Sequence, residues 1–158
     1  MPISNIASSI SNSDILEEGK SYYFTELERI NRFLHLSECH EQYLFLIDEI
    51  FRGTNTVERI GGSAAVLQEL AKGSIVFVTS HDRELEDYLM QSFSMYHFQE
   101  TGDRNIPFDY KIRPGVCRSR NALNLMASMG FPKTVVEKAR ILANQVEDRY
   151  PDKKPVCG

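Results

Sequence analysis

Several features typical of secreted, membrane-spanning and nucleic-acid-coating proteins are scarce or missing in this sequence. Its 158 residues include only three cysteines, an odd number that argues against a disulfide framework and suits a reducing cytosol. No apolar run approaches the ~20 residues that span a bilayer, and the first residues are too polar for a signal peptide. The formal net charge of −4 provides no overall basic field for nucleic acid. We therefore expect one ordinary cytoplasmic domain, for which the 42% hydrophobic content can supply a core.

A complete phosphate-binding P-loop is also missing, although Gly19-Lys20-Ser21 has the ending of one. The full pattern requires a glycine five residues before the second glycine, where this chain has Asp14. The preceding segment is polar rather than an apolar strand, and two glutamates next to the tripeptide would repel phosphates. No other glycine is followed by lysine and then serine or threonine. The tripeptide is therefore not a P-loop, and a chance occurrence in a loop before a helix is the simplest alternative.

Hydrophobic periodicity predicts an α/β protein whose first half alternates strands and helices. Apolar residues at helical spacing indicate helices over 22–36 and 57–72. Short apolar runs indicate strands over 43–48 and 74–80, and the second run has the uninterrupted apolar character of a strand buried on both faces. A short helix is expected over 82–89. Parallel strands in this order require right-handed helical crossovers.

The rest of the chain is predicted from turn and cap signals. Residues 1–18, rich in Ser and Asn, are expected to be irregular, whereas strands near 93–99 and 107–113 flank a turn-rich segment and suggest an antiparallel hairpin. Two helices follow, with Gly130 as a C-terminal stop and Pro132 opening the last helix. The predicted organisation is a domain over 1–115, a helical pair over 116–149 and a frayed tail over 150–158.

The strongest chemical signal is "YLFLIDEI", in which an apolar strand ends in the adjacent carboxylates Asp48 and Glu49. Adjacent acids at such a position repel each other and lose hydration, which a metal ion or a protonatable substrate would relieve. In P-loop ATPases this is the Walker B position, where one acid helps to hold Mg²⁺ and a following glutamate can orient or deprotonate water. The alternative is that both acids cap the next helix.

Two further segments fall at the same predicted edge of the sheet. "FRGTNT" is a glycine-bearing turn that ends in Asn55 and Thr56, which are good N-cap residues for the helix at 57. "VFVTSHD" places His81 at the end of the second strand. If the two strands are parallel neighbours, His81 lies beside Asp48 and Glu49, at the edge where α/β proteins bind ligands. The alternative for His81 is a cap of the next helix.

Taken together, these motifs resemble the carboxyl-terminal ATPase domain of the MutS family of DNA mismatch-repair proteins, a domain of the ABC class. The resemblance runs from about Ile6 to Glu147 and rests on four segments in the right order: "SDILEEGKSYYFTEL", "YLFLIDEIFRGTNT", "VFVTSHD" and "NALNLMASMGFPKTVVEKAR". It implies a partial ABC-type P-loop NTPase sheet with flanking helices, an antiparallel hairpin and a C-terminal helix-turn-helix that packs on a partner subunit. The implied cofactors are ATP and Mg²⁺, and the implied assembly is a homodimer with composite ATP sites.

The resemblance also gives the opening tripeptide a role. Gly19, Lys20 and Ser21 match the family's signature loop, which opens a helix and offers backbone N–H groups and a hydroxyl to the γ-phosphate bound on the other subunit. A helix N-terminus attracts anions, and a glycine permits close approach.

The remaining motif residues match other parts of the ATP site. By the same resemblance, Asp48 assists Mg²⁺, Glu49 is the catalytic glutamate and His81 is the switch histidine. Residues 53–56, which include Asn55 and Thr56 as nucleotide-site residues, match the loop that contacts the partner subunit.

Some features depart from the family pattern or leave alternatives open. The P-loop and the mismatch-reading regions would lie upstream, and Tyr22-Tyr23 replaces the more usual Thr-Phe, so the subfamily stays open. A DNA-binding role for the last helices is disfavoured because acidic and basic residues are mixed there. The cluster of His35, Cys39 and His40 lacks a second ligand pair at zinc-site spacing. The remaining alternatives are an SMC-like or transporter-type ABC module, and a dimerisation module without nucleotide chemistry.

Overall fold

The computed structural model describes residues 5–10, 22–39, 41–100, 108–117 and 122–149. The chain divides into two compact units, Met1–Phe93 and Ser94–Gly158, each of which is described by itself. The predicted division at residue 115 concerns the extent of the ATPase domain and stays a prediction. The predicted tail over 150–158 lies outside the described residues.

The first unit is built on a three-stranded sheet of β1 (Asn5–Ser9), β2 (Tyr43–Asp48) and β3 (Ile75–Thr79). The strand order is β1-β2-β3, and both neighbouring pairs are parallel, as predicted for β2 and β3. The expectation that residues 1–18 are irregular is wrong for β1. Its small polar residues carry little strand signal by themselves, but the backbone of β2 offers a partner along its whole length, from the pair Asn5–Tyr43 to the pair Ser9–Ile47.

Three helices accompany this sheet: α1 (Tyr22–Ser37), α2 (Thr56–Leu70) and α3 (Leu85–Leu89). All three helices were predicted. The observed bounds of α2 and α3 differ from the predicted ones by at most three residues at either end. The start of α2 is set by Asn55, whose side chain accepts a hydrogen bond from the Glu58 N–H and so caps the helix. The predicted N-cap role of Asn55 is therefore confirmed.

The core of the first unit lies between β2 and its helices. Phe45 of β2 is fully buried and stacks on Phe33 of α1, with ring centroids 4.9 Å apart. Further large buried apolar side chains come from the helices and from β2 with the turn after it, namely Ile30, Leu67, Leu70, Leu85 and Leu89, and Ile47, Ile50 and Phe51. This packing fixes the direction of β2 and hence the place where its polar end emerges.

The opposite face of the sheet is exposed in this chain. Ile6 and Ile75 flank Leu44 across the sheet, and Phe77 lies two residues further along β3. Their exposed fractions are 68% for Ile6, 48% for Ile75 and 64% for Phe77. The prediction that β3 is buried on both faces is therefore wrong for this chain. Its apolar side chains alternate between one face that is exposed and one face that is partly buried.

The second unit contains an antiparallel pair of strands and two helices. The strands β4 (Tyr96–Glu100) and β5 (Phe108–Pro114) confirm the predicted antiparallel pairing, and their connecting residues 101–107 lie outside the described part of the chain. The helices α4 (Ala122–Ser128) and α5 (Lys133–Arg149) confirm the predicted helical pair. Gly130 adopts a left-handed backbone with φ of 84°, which explains why α4 stops there.

Across both units, no helix within the described ranges is long and apolar enough to cross a membrane.

Candidate functional site

The carboxyl ends of β2 and β3 bring the predicted acidic residues together. Asp48 pairs in register with Thr79, whose hydroxyl donates a 2.6 Å hydrogen bond to Asp48 Oδ1. The Glu49 N–H donates to the Thr79 carbonyl oxygen over 3.1 Å. The end of β3 therefore holds the backbone of one acid and orients the side chain of the other.

The Glu49 carboxylate lies between two nitrogen-bearing side chains. Its Oε1 is 2.6 Å from His81 Nε2, and its Oε2 contacts Arg52 Nε. Glu49 is mostly shielded, with 22% of its side chain exposed, whereas 89% of the His81 side chain is exposed. Glu49, which follows Asp48 directly, thus lies beside His81 as predicted. The Glu49 carboxylate is near the protein surface, and the His81 imidazole lies on its solvent side.

Asp48 offers a partly exposed carboxylate oxygen to a hard cation. Its side chain is 40% exposed, and in the described part of the chain its Oδ2 has one charged neighbour, Arg52, at 3.9 Å. No cluster of three or more His, Cys, Asp and Glu ligands occurs among the residues that the structure describes. Mg²⁺ favours one or two carboxylates together with water and phosphate oxygens over a cage made entirely of protein ligands. Asp48 therefore fits an assisting role for Mg²⁺, with the other ligands supplied by water and nucleotide.

The turn before α2 is internally hydrogen-bonded through Glu58. The Glu58 Oε2 accepts from Asn55 Nδ2 at 2.6 Å and from the Thr54 hydroxyl at 2.9 Å. Thr56 is the first residue of α2, and both Asn55 and Thr56 are exposed. These contacts give the turn a fixed shape at the protein surface, while contact of Asn55 and Thr56 with nucleotide stays a prediction.

Gly53 is required in this turn because the first turn of α1 packs against it. A Cβ atom at residue 53 would lie 2.5 Å from the Tyr23 Cβ, closer than side-chain atoms approach. The Tyr23 ring also meets the Phe51 ring edge-on, with centroids 6.4 Å apart. Gly19, Lys20 and Ser21 lie outside the described residues, but the helix that follows them is in direct contact with the turn after Glu49.

An ion pair that the sequence did not reveal joins the start of α2 to the loop after β3. Arg59 Nε and Nη2 donate to the two oxygens of Asp82, both over 2.7 Å. The pKa of Arg59 is raised, mainly by this hydrogen bond to Asp82. Asp82 follows His81 in the chain, so the pair ties the turn containing Asn55 to the segment that carries the histidine. No local pattern links two residues this far apart.

We expect this ion pair to contribute measurably to stability. The exposed fractions of the side chains are 23% for Arg59 and 16% for Asp82. A bidentate hydrogen bond between two partly buried charged side chains is stronger than a contact between exposed ones. A double-mutant cycle with Arg59→Met and Asp82→Asn, followed by urea unfolding, should give a coupling free energy of about 1–2 kcal/mol. The matched control is the exposed pair Glu69–Lys72, for which about 0.5 kcal/mol or less is expected. Equal coupling in both cycles would show that Arg59 does not hold the loop.

Comparison with known proteins adds an independent finding. The sequence model of the family described as MutS domain V matches residues 1–147. The chain is 28% identical over 141 residues to "Endonuclease MutS2" of Lactiplantibacillus plantarum, covering 88% of this chain and 18% of that protein. It is 31% identical over 148 residues to "MutS protein homolog 4" of Mus musculus, covering 87% of this chain and 15% of that protein.

A third similar protein is the "DNA mismatch repair protein MutS" of Synechococcus sp.. It is 32% identical over 142 residues, which cover 85% of this chain and 15% of that protein. The chain thus spans less than a fifth of the length of each of these three relatives.

Proposed function

Because the chain belongs to the MutS family, with domain V matching residues 1–147, we propose that it is part of an ATPase. In this proposal, the full-length protein couples ATP binding and hydrolysis to DNA binding in mismatch repair or recombination. It acts in the cytoplasm, and it contacts DNA through regions outside this chain.

The observation that carries the proposal is the cluster of Asp48, Glu49 and His81 at the ends of two parallel strands. Bound Mg²⁺-ATP supplies the phosphoryl group that water attacks. Glu49 orients the attacking water and accepts its proton, since its carboxylate is shielded but still reaches solvent. Asp48, which the Thr79 hydroxyl orients, would help to hold Mg²⁺. His81, on the solvent side of Glu49, would contact the γ-phosphate.

The second part of the proposal is a head-to-tail homodimer with two composite ATP sites. Gly19, Lys20 and Ser21 would serve the site of the opposite subunit, and Asn55 and Thr56 would contact it across the interface. The hydrogen-bonded turn of Thr54, Asn55 and Glu58 supports this assignment, because a preformed surface loop loses little entropy on docking. The ABC-type sheet and the helix-turn-helix formed by α4 and α5 belong to the same proposal.

The exposed face of the sheet supports a larger ATPase domain. Ile6, Ile75 and Phe77 form a row of exposed apolar side chains on that face, and such surfaces mark contacts with other protein segments. We propose that the P-loop-bearing part of the domain covers this face. An SMC-like ABC module is the second candidate, and a long coiled coil beside this domain would favour it.

The proposal predicts that ATPase activity needs more than this chain. Full-length protein should hydrolyse ATP in the presence of Mg²⁺, whereas the isolated 158-residue chain should not, because backbone N–H groups and a lysine of a P-loop are needed to hold the phosphates. Turnover is measured on both proteins after repeated purification. Turnover of ~1 s⁻¹ by the isolated chain that survives repurification, or none by the full-length protein, would contradict the proposal.

A further inference from the structure

We propose that Glu26 is a positioning residue through which α1 sets the conformation of Glu49 in the same subunit. The inference rests on the proposed function, since it assigns Glu26 a role in aiming the residue that orients water. It concerns the contact between α1 and the turn that follows β2.

Glu26 is a buried acid that reaches out of α1 to a backbone amide of this turn. Only 7% of Glu26 is exposed, and its Oε1 accepts a 2.5 Å hydrogen bond from the Phe51 N–H. Its other oxygen, Oε2, is buried without a hydrogen bond of good geometry. Burial raises the pKa of Glu26, and the backbone amides of Phe51 and Arg52 partly offset this effect. A buried carboxyl group loses its hydration, which costs folding free energy that its contacts must offset.

The turn that Glu26 contacts is strained. Glu49 has φ of 52° and Phe51 has φ of 61°, both in the left-handed region that residues with a side chain rarely adopt. Such a conformation costs roughly 1–2 kcal/mol per residue and persists only when the surroundings enforce it. On this left-handed backbone the Glu49 side chain contacts His81.

Three contacts from α1 enforce this conformation. Glu26 binds the Phe51 amide, the Tyr23 ring packs edge-on against the Phe51 ring, and Tyr23 fills the space that a side chain at Gly53 would need. Only the Glu26 contact is directional, because it fixes the orientation of one peptide group two residues after Glu49. The position of the Glu26 acceptor atom is therefore the property that aims Glu49.

Two substitutions separate the position of the Glu26 acceptor oxygen from the charge of its carboxylate. Glu26→Asp keeps the charge but withdraws the acceptor by one methylene, whereas Glu26→Gln loses the charge and keeps an oxygen at the same reach. In the full-length protein, Glu26→Asp should lower kcat by about 10²-fold with ATP affinity unchanged, since small misplacements of catalytic groups have effects of this size. Glu26→Gln should retain kcat within a few fold. Glu38→Asp, at an exposed position directly after the same helix, is the control and should match the parent.

A spectroscopic measurement tests the same idea without ATP hydrolysis. In the full-length protein, with phenylalanine and histidine selectively labelled, the amide proton of Phe51 and the ring signals of His81 are followed by NMR. Glu26→Asp should shift both sets of signals because Glu49 leaves His81, while Glu26→Gln should leave the His81 ring signals near their parental positions.

The outcomes separate the two claims. A parent protein without ATPase activity would contradict the proposed function, whereas the NMR result would still decide the role of Glu26. Parental kcat and His81 signals in Glu26→Asp would overturn the inference. It would also be overturned if Glu26→Gln lost kcat as far as Glu26→Asp, or if the loss of kcat vanished after correction for the folded fraction.

Discussion

Replacing Glu49 with glutamine in the full-length protein is expected to slow ATP hydrolysis by ~10²–10⁴-fold while leaving ATP binding intact. The amide keeps the shape of the side chain and can still accept a hydrogen bond from His81 Nε2, which lies 2.6 Å from Glu49 Oε1. It has no basic carboxylate with which to take a proton from water. Single-turnover hydrolysis and equilibrium binding of labelled ATP measure the two effects separately.

Glu69→Gln is the matched control for this experiment. Glu69 is an exposed glutamate on α2 that pairs only with Lys72 among the contacts described, so its amide variant should hydrolyse ATP at the parental rate. Hydrolysis at the parental rate in Glu49→Gln would mean that Glu49 has a structural role. Loss of ATP binding in Glu49→Gln would show that the substitution disturbs the site as a whole.

The central cluster of this site could be predicted because strong local patterns coincide there. An apolar run followed by two acids places Asp48 and Glu49 at a strand end, and a second apolar run does the same for His81. Parallel pairing of β2 and β3 then brings the three residues together by geometry alone. The stop at Gly130 was likewise predictable, since glycine readily adopts the left-handed conformation that ends a helix.

Other features depend on contacts between distant segments, which one sequence does not encode in any local pattern. β1 contains two serines and an asparagine, and it is a strand because β2 pairs with it. The pairing of Arg59 with Asp82 depends on how α2 and the loop after β3 fold back toward each other. Glu26 lies in an ordinary helical sequence, and only the structure shows that its carboxylate is buried against the Phe51 amide.

Replacing Ser21 with arginine in the full-length protein should reduce hydrolysis by roughly 10²-fold or more. If Ser21 donates to the γ-phosphate bound on the opposite subunit, the substitution removes a donor and places bulk and charge where that phosphate must dock. Each subunit should still bind ATP, because its own P-loop is unchanged. Ser92→Arg, at an exposed position after α3, is the control and should leave hydrolysis near the parental level.

The composite site is tested most directly by mixing two inactive subunits. One carries Ser21→Arg, and the other carries a replacement of the P-loop lysine. In a mixed dimer, one site contains both defects and the other contains neither. Hydrolysis should therefore recover to roughly half the parental level if the sites act independently, as distant sites often do. No recovery, together with failure of the Ser21→Arg subunit to bind ATP itself, would show that residues 19–21 act within their own subunit and would contradict the account.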